Sequence, residues 1–252
     1  MRPEPLPLVL LHGLLGDERD WQPVTAALPG RRCYPLALPG HGGNRARRLH
    51  DFAGIRRWLA RALAGLGLGR YLLAGYSLGG RLALDFASRE PPGLCGLLLE
   101  NAHPGLPEAE RDARLALDAA WAARFAREPL PLVLADWYRQ PVFADLDEAR
   151  RQALIRRRQG NSGAAVAAML AASSLGRQPD LRPWLARTRL PLAYLSGRQD
   201  PKFHRLAGEL AAASPRLHHF ILDGGHNLHV DRPLEVARCL RHWGQQLDGV
   251  PS

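Results

Sequence analysis

The chain has 252 residues, 46% of them hydrophobic, and a formal charge of +10 at pH 7. That is enough apolar material for one full core, which excludes a disordered chain and a disulfide-stapled miniature. The positive charge is scattered and almost entirely arginine, Lys202 being the only lysine; it reads as a GC-rich coding bias on a solvated surface, not as a nucleic-acid-binding face.

The first apolar run, LPLVLLHGLLG, is followed by DERDW and reads as strand, loop and helix start, without the small-residue cleavage site of a signal peptide. No apolar run approaches the ~20 residues that cross a bilayer, so a cytoplasmic protein without membrane partners is expected. Strands are predicted at 7–12, 32–38, 71–76, 95–100, 191–196 and 217–222, with helical patterns between them. This alternation predicts an α/β fold, a mostly parallel sheet flanked by helices. Between the second and third strands, Asp51 caps a helix whose Phe52, Ile55, Leu59, Leu63 and Leu66 fall on one face. The glycines after Ser77 open another helix. PLEVARCLRHWGQQL forms the last one, and the end of the chain, GQQLDGVPS, is expected to be loose.

The interval 104–189 breaks the rhythm with four successive helical patterns, the first of them, EAERDARLALDAAWAARFA, read as amphipathic. The organisation expected is a core formed by 1–103 and 190–252 with a helical lid, 104–189, inserted into what is overall a single domain. Cys33, Cys95 and Cys239 are an odd number without close pairing and read as buried thiols of a reducing compartment. No His/Cys spacing suggests a metal site. A monomer or small homo-oligomer is expected.

The chemistry concentrates around LLAGYSLGGRLAL. A serine hydroxyl is a poor nucleophile or base at neutral pH and needs an imidazole to take its proton and an acid to orient that imidazole. GYSLG, with an apolar run before it and a helix after it, fits a nucleophile elbow that lifts Ser77 above the sheet edge. Such an elbow requires an acid and then a histidine further along the chain, each in a loop after a strand. Asp200, after LAYLSG, and His226, after HHFILDG, fill those positions; Asp223 competes for the acid role and reads better as a turn residue. The backbone N–H groups of Leu14, after the first strand, and Leu78, after the serine, are candidates for an oxyanion hole. His12 and His41 read as structural, the latter a turn residue with local hydrogen bonds.

These residues resemble the α/β-hydrolase family over essentially the whole chain, with the first strand expected to carry HG and the two leading strands of many relatives expected to be missing. GYSLGGR, ENAHPGL, ADWYRQPVF, GRQDPKF and GGHNLH, in order, resemble more narrowly the 2-succinyl-6-hydroxy-2,4-cyclohexadiene-1-carboxylate synthases of menaquinone biosynthesis. That resemblance implies a lyase that eliminates pyruvate from 2-succinyl-5-enolpyruvyl-6-hydroxy-3-cyclohexene-1-carboxylate. It implies no metal or organic cofactor, no nucleic acid, and a small anionic substrate. Ser77, activated by His226 and Asp200, would act as a base and form no acyl-enzyme. The resemblance further implies carboxylate-binding arginines at Arg81, at Arg114 after a one-residue deletion, and in LIRRRQGN, where an insertion leaves both Arg157 and Arg158 open, Arg158 being preferred. Trp137 and Tyr138 would wall the pocket and Tyr76 would line its floor. The alternative is a serine hydrolase of a carboxylate-bearing ester, thioester or C–C bond substrate, because one fold hosts many chemistries.

Overall fold

Strands apolar on both sides need cover on both faces, and the computed structural model, which describes residues 4–249, supplies it with helices. The strands are β1 (Leu8–Leu11), β2 (Cys33–Leu36), β3 (Tyr71–Tyr76), β4 (Leu94–Glu100), β5 (Leu192–Gly197) and β6 (Leu217–Leu222). They form one sheet in the order β2-β1-β3-β4-β5-β6, every neighbouring pair parallel. All six lie within two residues of the expected positions. The chain builds outward from β1 to β2 and then returns to place β3 on the other side of β1. That reversal opens a crevice at the carboxyl ends of β1 and β3, where ligands of open α/β sheets bind.

The helices are α1 (Gln22–Ala26), α2 (Phe52–Gly65), α3 (Leu78–Ala87), α4 (Glu108–Arg127), α5 (Leu130–Trp137), α6 (Glu148–Arg158), α7 (Gly163–Ala172), α8 (Arg182–Arg187), α9 (Pro201–Ala213), α10 (Leu228–Asp231) and α11 (Pro233–Leu247). Because successive strand residues point to opposite faces, the core divides in two. Val9, Leu11, Leu73 and Leu99 pack with Ile55, Leu59, Leu82, Phe86, Leu206 and Leu210 of α2, α3 and α9. Leu8, Leu10, Leu72 and Leu98 pack with Val24 of α1 and Val236, Leu240 and Trp243 of α11. A third cluster, with Phe125, Val133, Leu134, Phe143, Ile155 and Val166, lies within the helical block between β4 and β5 and takes in Leu15 from the loop after β1.

Three details differ from expectation. α4 is only weakly amphipathic: Leu117 is 52% exposed, while the charged Asp118 is buried beside Phe125. Its alanine-rich surface leaves little apolar area to bury, so a polar anchor takes that part. GQQL is not loose but completes α11, and Asp248 then binds Arg31 at 2.7 Å and the Leu6 N–H at 2.9 Å; residues 250–252 lie outside the described residues. The three cysteines are free and half-buried, not fully buried.

Asp51 caps α2 as expected, its Oδ1 accepting the Gly54 N–H at 2.6 Å. Asp51→Ala is expected to lower stability by about 1 kcal/mol, measurable as a fall in the urea denaturation midpoint at constant slope.

Candidate active site

β3 ends at Tyr76 and α3 begins at Leu78, so Ser77 alone turns the chain, with φ 48° and ψ −111°. Side chains avoid this region, and the turn must be held by its surroundings. The Ser77 N–H donates to the Glu100 carbonyl at 2.8 Å and the Ser77 carbonyl accepts the Arg81 N–H at 3.0 Å. A Cβ on Gly75 would lie 2.5 Å from the Gly79 carbonyl carbon, one on Gly79 would lie 2.4 Å from the His12 oxygen, and one on Gly80 would lie 2.6 Å from the Gly75 oxygen. Strand, helix and the loop after β1 therefore meet backbone to backbone, which only glycine permits.

The structure brings Asp200 and His226 to that serine. Asp200 caps α9, its Oδ1 accepting the Phe203 N–H at 3.2 Å and its Oδ2 lying 2.6 Å from His226 Nδ1. Nε2 of the same ring lies 3.3 Å from Ser77 Oγ. With Nδ1–H committed to Asp200, Nε2 faces the hydroxyl as a proton acceptor. Asp223, the competing acid, stays at the exposed end of β6 and accepts from Gln199 at 3.2 Å.

The end of β4 latches the histidine loop. Asn101 Nδ2 donates to the His226 carbonyl at 2.8 Å, and Glu100 Oε1 accepts the His229 N–H at 3.0 Å beside His229 Nδ1 at 2.8 Å. Neither Glu100 nor Asn101 was singled out in ENAHPGL, since a buried polar latch leaves no periodic signature. Tyr76, Phe143 and Phe203 surround the His226 ring at centroid distances of 5.2, 5.7 and 4.9 Å, and the Tyr76 hydroxyl donates to Asn227 Oδ1.

The loop after β1 runs beside the serine, a Cβ on Gly13 falling 3.6 Å from Ser77 Cβ. Among the described residues, the N–H groups of Leu14 and Leu78 have no backbone acceptor. Two buried histidines fix this loop. His12 Nδ1–H donates to the Gly13 carbonyl at 2.8 Å, and its Nε2 accepts the Leu38 N–H at 3.0 Å. His41 Nε2 accepts the Leu15 N–H at 3.1 Å, and its Nδ1–H donates to the Pro39 carbonyl at 3.1 Å. Accepting an N–H requires a neutral ring, and burial lowers the pKa from 6.5 to about 4 for His12 and about 3 for His41. His41 therefore makes the local bond to Pro39 expected of a turn residue and adds one across to the loop after β1.

Arg81 lies one turn into α3, 8% exposed. Its Nε–H donates to Gln178 Oε1 at 2.7 Å and its Nη2 to the Ser173 carbonyl at 2.6 Å. Both acceptors are neutral, and burial, reinforced by the charge of Arg114, lowers its pKa to about 9. Arg114 is held at 2.8 Å by Asp118, which also accepts from Ser174 and from the Leu175 N–H. Arg158 is buried and makes a bidentate pair with Asp20 at 2.9 and 2.7 Å, while exposed Arg157 reaches the same carboxylate at 2.7 Å. Burial opposes the Arg158 charge, but Asp20 and the adjacent Tyr138 hydroxyl hold its pKa above the usual arginine value. Trp137 packs on Trp121 and Phe125 at 5.0 and 5.4 Å, and Tyr138 on Phe143 at 5.1 Å. Gln178, Asp118 and Asp20, which orient these arginines, escaped the sequence reading because each acts through a partner distant in the chain. Among the described residues, no group of three or more His, Cys, Asp or Glu side chains is placed to hold a metal ion.

A strand–elbow–helix serine with its acid and histidine after later strands matches a known family model, described as alpha/beta hydrolase family, over residues 8–239. The chain belongs to the alpha/beta hydrolase family. Within that family it is 48% identical over 234 residues to the 2-succinyl-6-hydroxy-2,4-cyclohexadiene-1-carboxylate synthase of Klebsiella pneumoniae subsp. pneumoniae, covering 92% of this chain and 91% of the relative. It is 47% identical to the synthase of the same name from Citrobacter koseri, with the same coverage. Among alpha/beta hydrolase structures, MenH from S. aureus superposes with a TM-score of 0.90 at 27% identity, covering 97% of this chain and 95% of that one. A thermophilic esterase from Thermogutta terrifontis, at TM-score 0.77 and 23% identity over 96% of this chain and 90% of its own, shares the fold.

Gly75→Ala is expected to destabilise the protein by about 1–3 kcal/mol through overpacking, measured by urea denaturation. The neutral histidines set a pH dependence. Their folded pKa values lie below 6.5, so their stabilisation is complete above about pH 6.5 and is lost as pH falls toward 4 and 3. Each pH unit below 6.5 is expected to cost about 1.4 kcal/mol per histidine, so the urea midpoint falls between pH 7 and pH 5; a flat midpoint would contradict this assignment.

Proposed function

We propose that the chain catalyses the pyruvate-eliminating reaction of the 2-succinyl-6-hydroxy-2,4-cyclohexadiene-1-carboxylate synthases, with Ser77 as base. The observation that carries the reading is Arg81, a buried guanidinium bound, among the described residues, only to neutral acceptors, one helical turn from a complete Ser77–His226–Asp200 arrangement. A buried cation of this kind calls for an anion, and a forked guanidinium suits a carboxylate. Identity of 47–48% to the synthases across nine-tenths of the chain points to the same reaction.

The substrate of that reaction carries three carboxylates and a succinyl ketone. Ser77 Oγ, its proton drawn by His226 Nε2, removes the proton next to the ketone. The resulting enolate oxygen is met by the Leu14 and Leu78 N–H groups. The electron pair moves through the ring alkene and breaks the C–O bond, and the departing enolpyruvate takes up a proton to become pyruvate. Asp200 keeps His226 in the tautomer that accepts at Nε2. The block 104–189 acts as a lid carrying Arg114, with Arg158 or Arg157 as a further carboxylate contact, and with Trp137, Tyr138 and Tyr76 lining the pocket.

Ser77→Ala and His226→Ala are each expected to lower pyruvate release from the enolpyruvyl substrate by at least about a thousandfold, followed with a coupled dehydrogenase. Asp200→Asn is expected to lower kcat far more than it raises KM. The same hydrogen bonds would serve ester hydrolysis. Near-native pyruvate release by Ser77→Ala, or a trapped acyl-serine on the turnover path, would falsify the base mechanism.

A further inference from the structure

His103 and Lys202 lie beside the triad and have no part in the scheme above. His103 follows β4 and is 7% exposed, and its Nδ1 accepts the Gly105 N–H at 3.2 Å. Burial, together with the charges of Lys202, Arg182, Arg81 and Arg114, keeps the ring neutral, its pKa lowered to about 3. A neutral imidazole that accepts at Nδ1 carries its proton on Nε2. Among the described residues, the His103 ring's hydrogen bond is with that Gly105 N–H and its ring contact is edge-to-face with Phe203 at 6.4 Å, so Nε2–H is a donor without a protein acceptor. Phe203 itself packs on His226 at 4.9 Å, which puts His103 one ring away from the catalytic imidazole.

Lys202 is the second residue of α9, two positions after Asp200, with Nζ 5.7 Å from the Phe203 ring centroid. Burial and then the charge of Arg114 oppose its own charge, which Asp200 and Glu110 favour. Arg81 is tied to the same group, because Gln178 accepts from Arg81 through Oε1 and donates to the His103 carbonyl through Nε2 at 3.1 Å. Arg182, the remaining cation near His103, is engaged by Asp180 at 2.9 Å and the Gly105 carbonyl at 3.0 Å. Arg81, Arg114 and Lys202 thus lie on the side of the triad that holds an uncommitted N–H, and of these three only Arg114 is ion-paired with a carboxylate, Asp118, among the described residues. Like charges held near one another are stabilised by a bound anion. Every other side-chain cation of this chain is arginine apart from the histidines. The lysine at this place supplies a compact charge on a flexible stem.

We propose that His103 Nε2–H and the Lys202 ammonium form a further carboxylate subsite, which holds one carboxylate of a polyanionic substrate while Arg81 and Arg114 hold another. The identity of that substrate rests on the function proposed above; the anion-binding chemistry of the subsite does not.

The test uses the full chain with Lys202→Met, Lys202→Arg and His103→Gln. With the enolpyruvyl substrate, Lys202→Met is expected to raise KM about tenfold or more and His103→Gln about threefold or more. The loss falls on KM more than on kcat, and Lys202→Arg recovers part of it. In a second measurement, succinate is used to protect Ser77 from labelling by a neutral organophosphonate. Lys202→Met is expected to need about tenfold more succinate for half-protection. Lys202 is exposed, so its variants carry the test even where His103→Gln fails to fold. Turnover by the native chain with KM and succinate protection unchanged in Lys202→Met overturns the subsite alone. No turnover by the native chain, with protection weakened in Lys202→Met, overturns the proposed reaction and leaves the subsite standing.

Discussion

Ser77 occupies a backbone conformation that side chains avoid, and it stays there because three glycines let β3, α3 and the loop after β1 approach at backbone contact. A residue at φ 48° gains nothing locally from that geometry. Its stability is borrowed from β4, whose Glu100 carbonyl accepts the serine N–H, and from the first turn of α3. The same strand end holds the histidine loop through the Glu100 carboxylate and the Asn101 amide. Ser77 and His226 are therefore positioned by one pair of adjacent residues on a buried central strand. Small displacements of separate loops cannot easily alter the distance between them.

Electrostatically, the site is asymmetric. On the side of the loop after β1, buried histidines are kept neutral and serve as hydrogen-bonding struts. On the side of α4 and α9, cations collect with few carboxylates to neutralise them. A protein interior tolerates a strut at little cost once both ring nitrogens are satisfied, whereas the Arg81 guanidinium is buried without a carboxylate partner among the described residues. Arg158 illustrates the opposite arrangement, since its bidentate pairing with Asp20 already satisfies much of its fork.

The fold was largely legible because it depends on local periodicity. β3 and β5 are continuous apolar runs, and the Asp51 cap marks the start of α2 in the sequence itself. The triad was legible for a related reason: each member stands directly after a strand, so strand positions predict a shared rim. What sequence could not reveal is pairing across long separations. Asp20 and Arg158 are 138 positions apart, and Arg81 and Gln178 are 97 apart; nothing in either neighbourhood announces the other. The misreading of α4 has a similar origin, because its buried anchor is Asp118, which a hydrophobic pattern counts as surface.

The helical block leaves the sheet after β4 and returns at β5, and these two strands are neighbours paired from Leu97–Leu192 to Glu100–Leu195. Its entrance and exit are consequently fixed side by side by backbone hydrogen bonds that its own sequence does not influence. The segment can lengthen, shorten or exchange its lining without shifting any strand by a residue. What the block carries can therefore change while the sheet stays constant, except at points such as Phe143, where the block reaches the His226 ring.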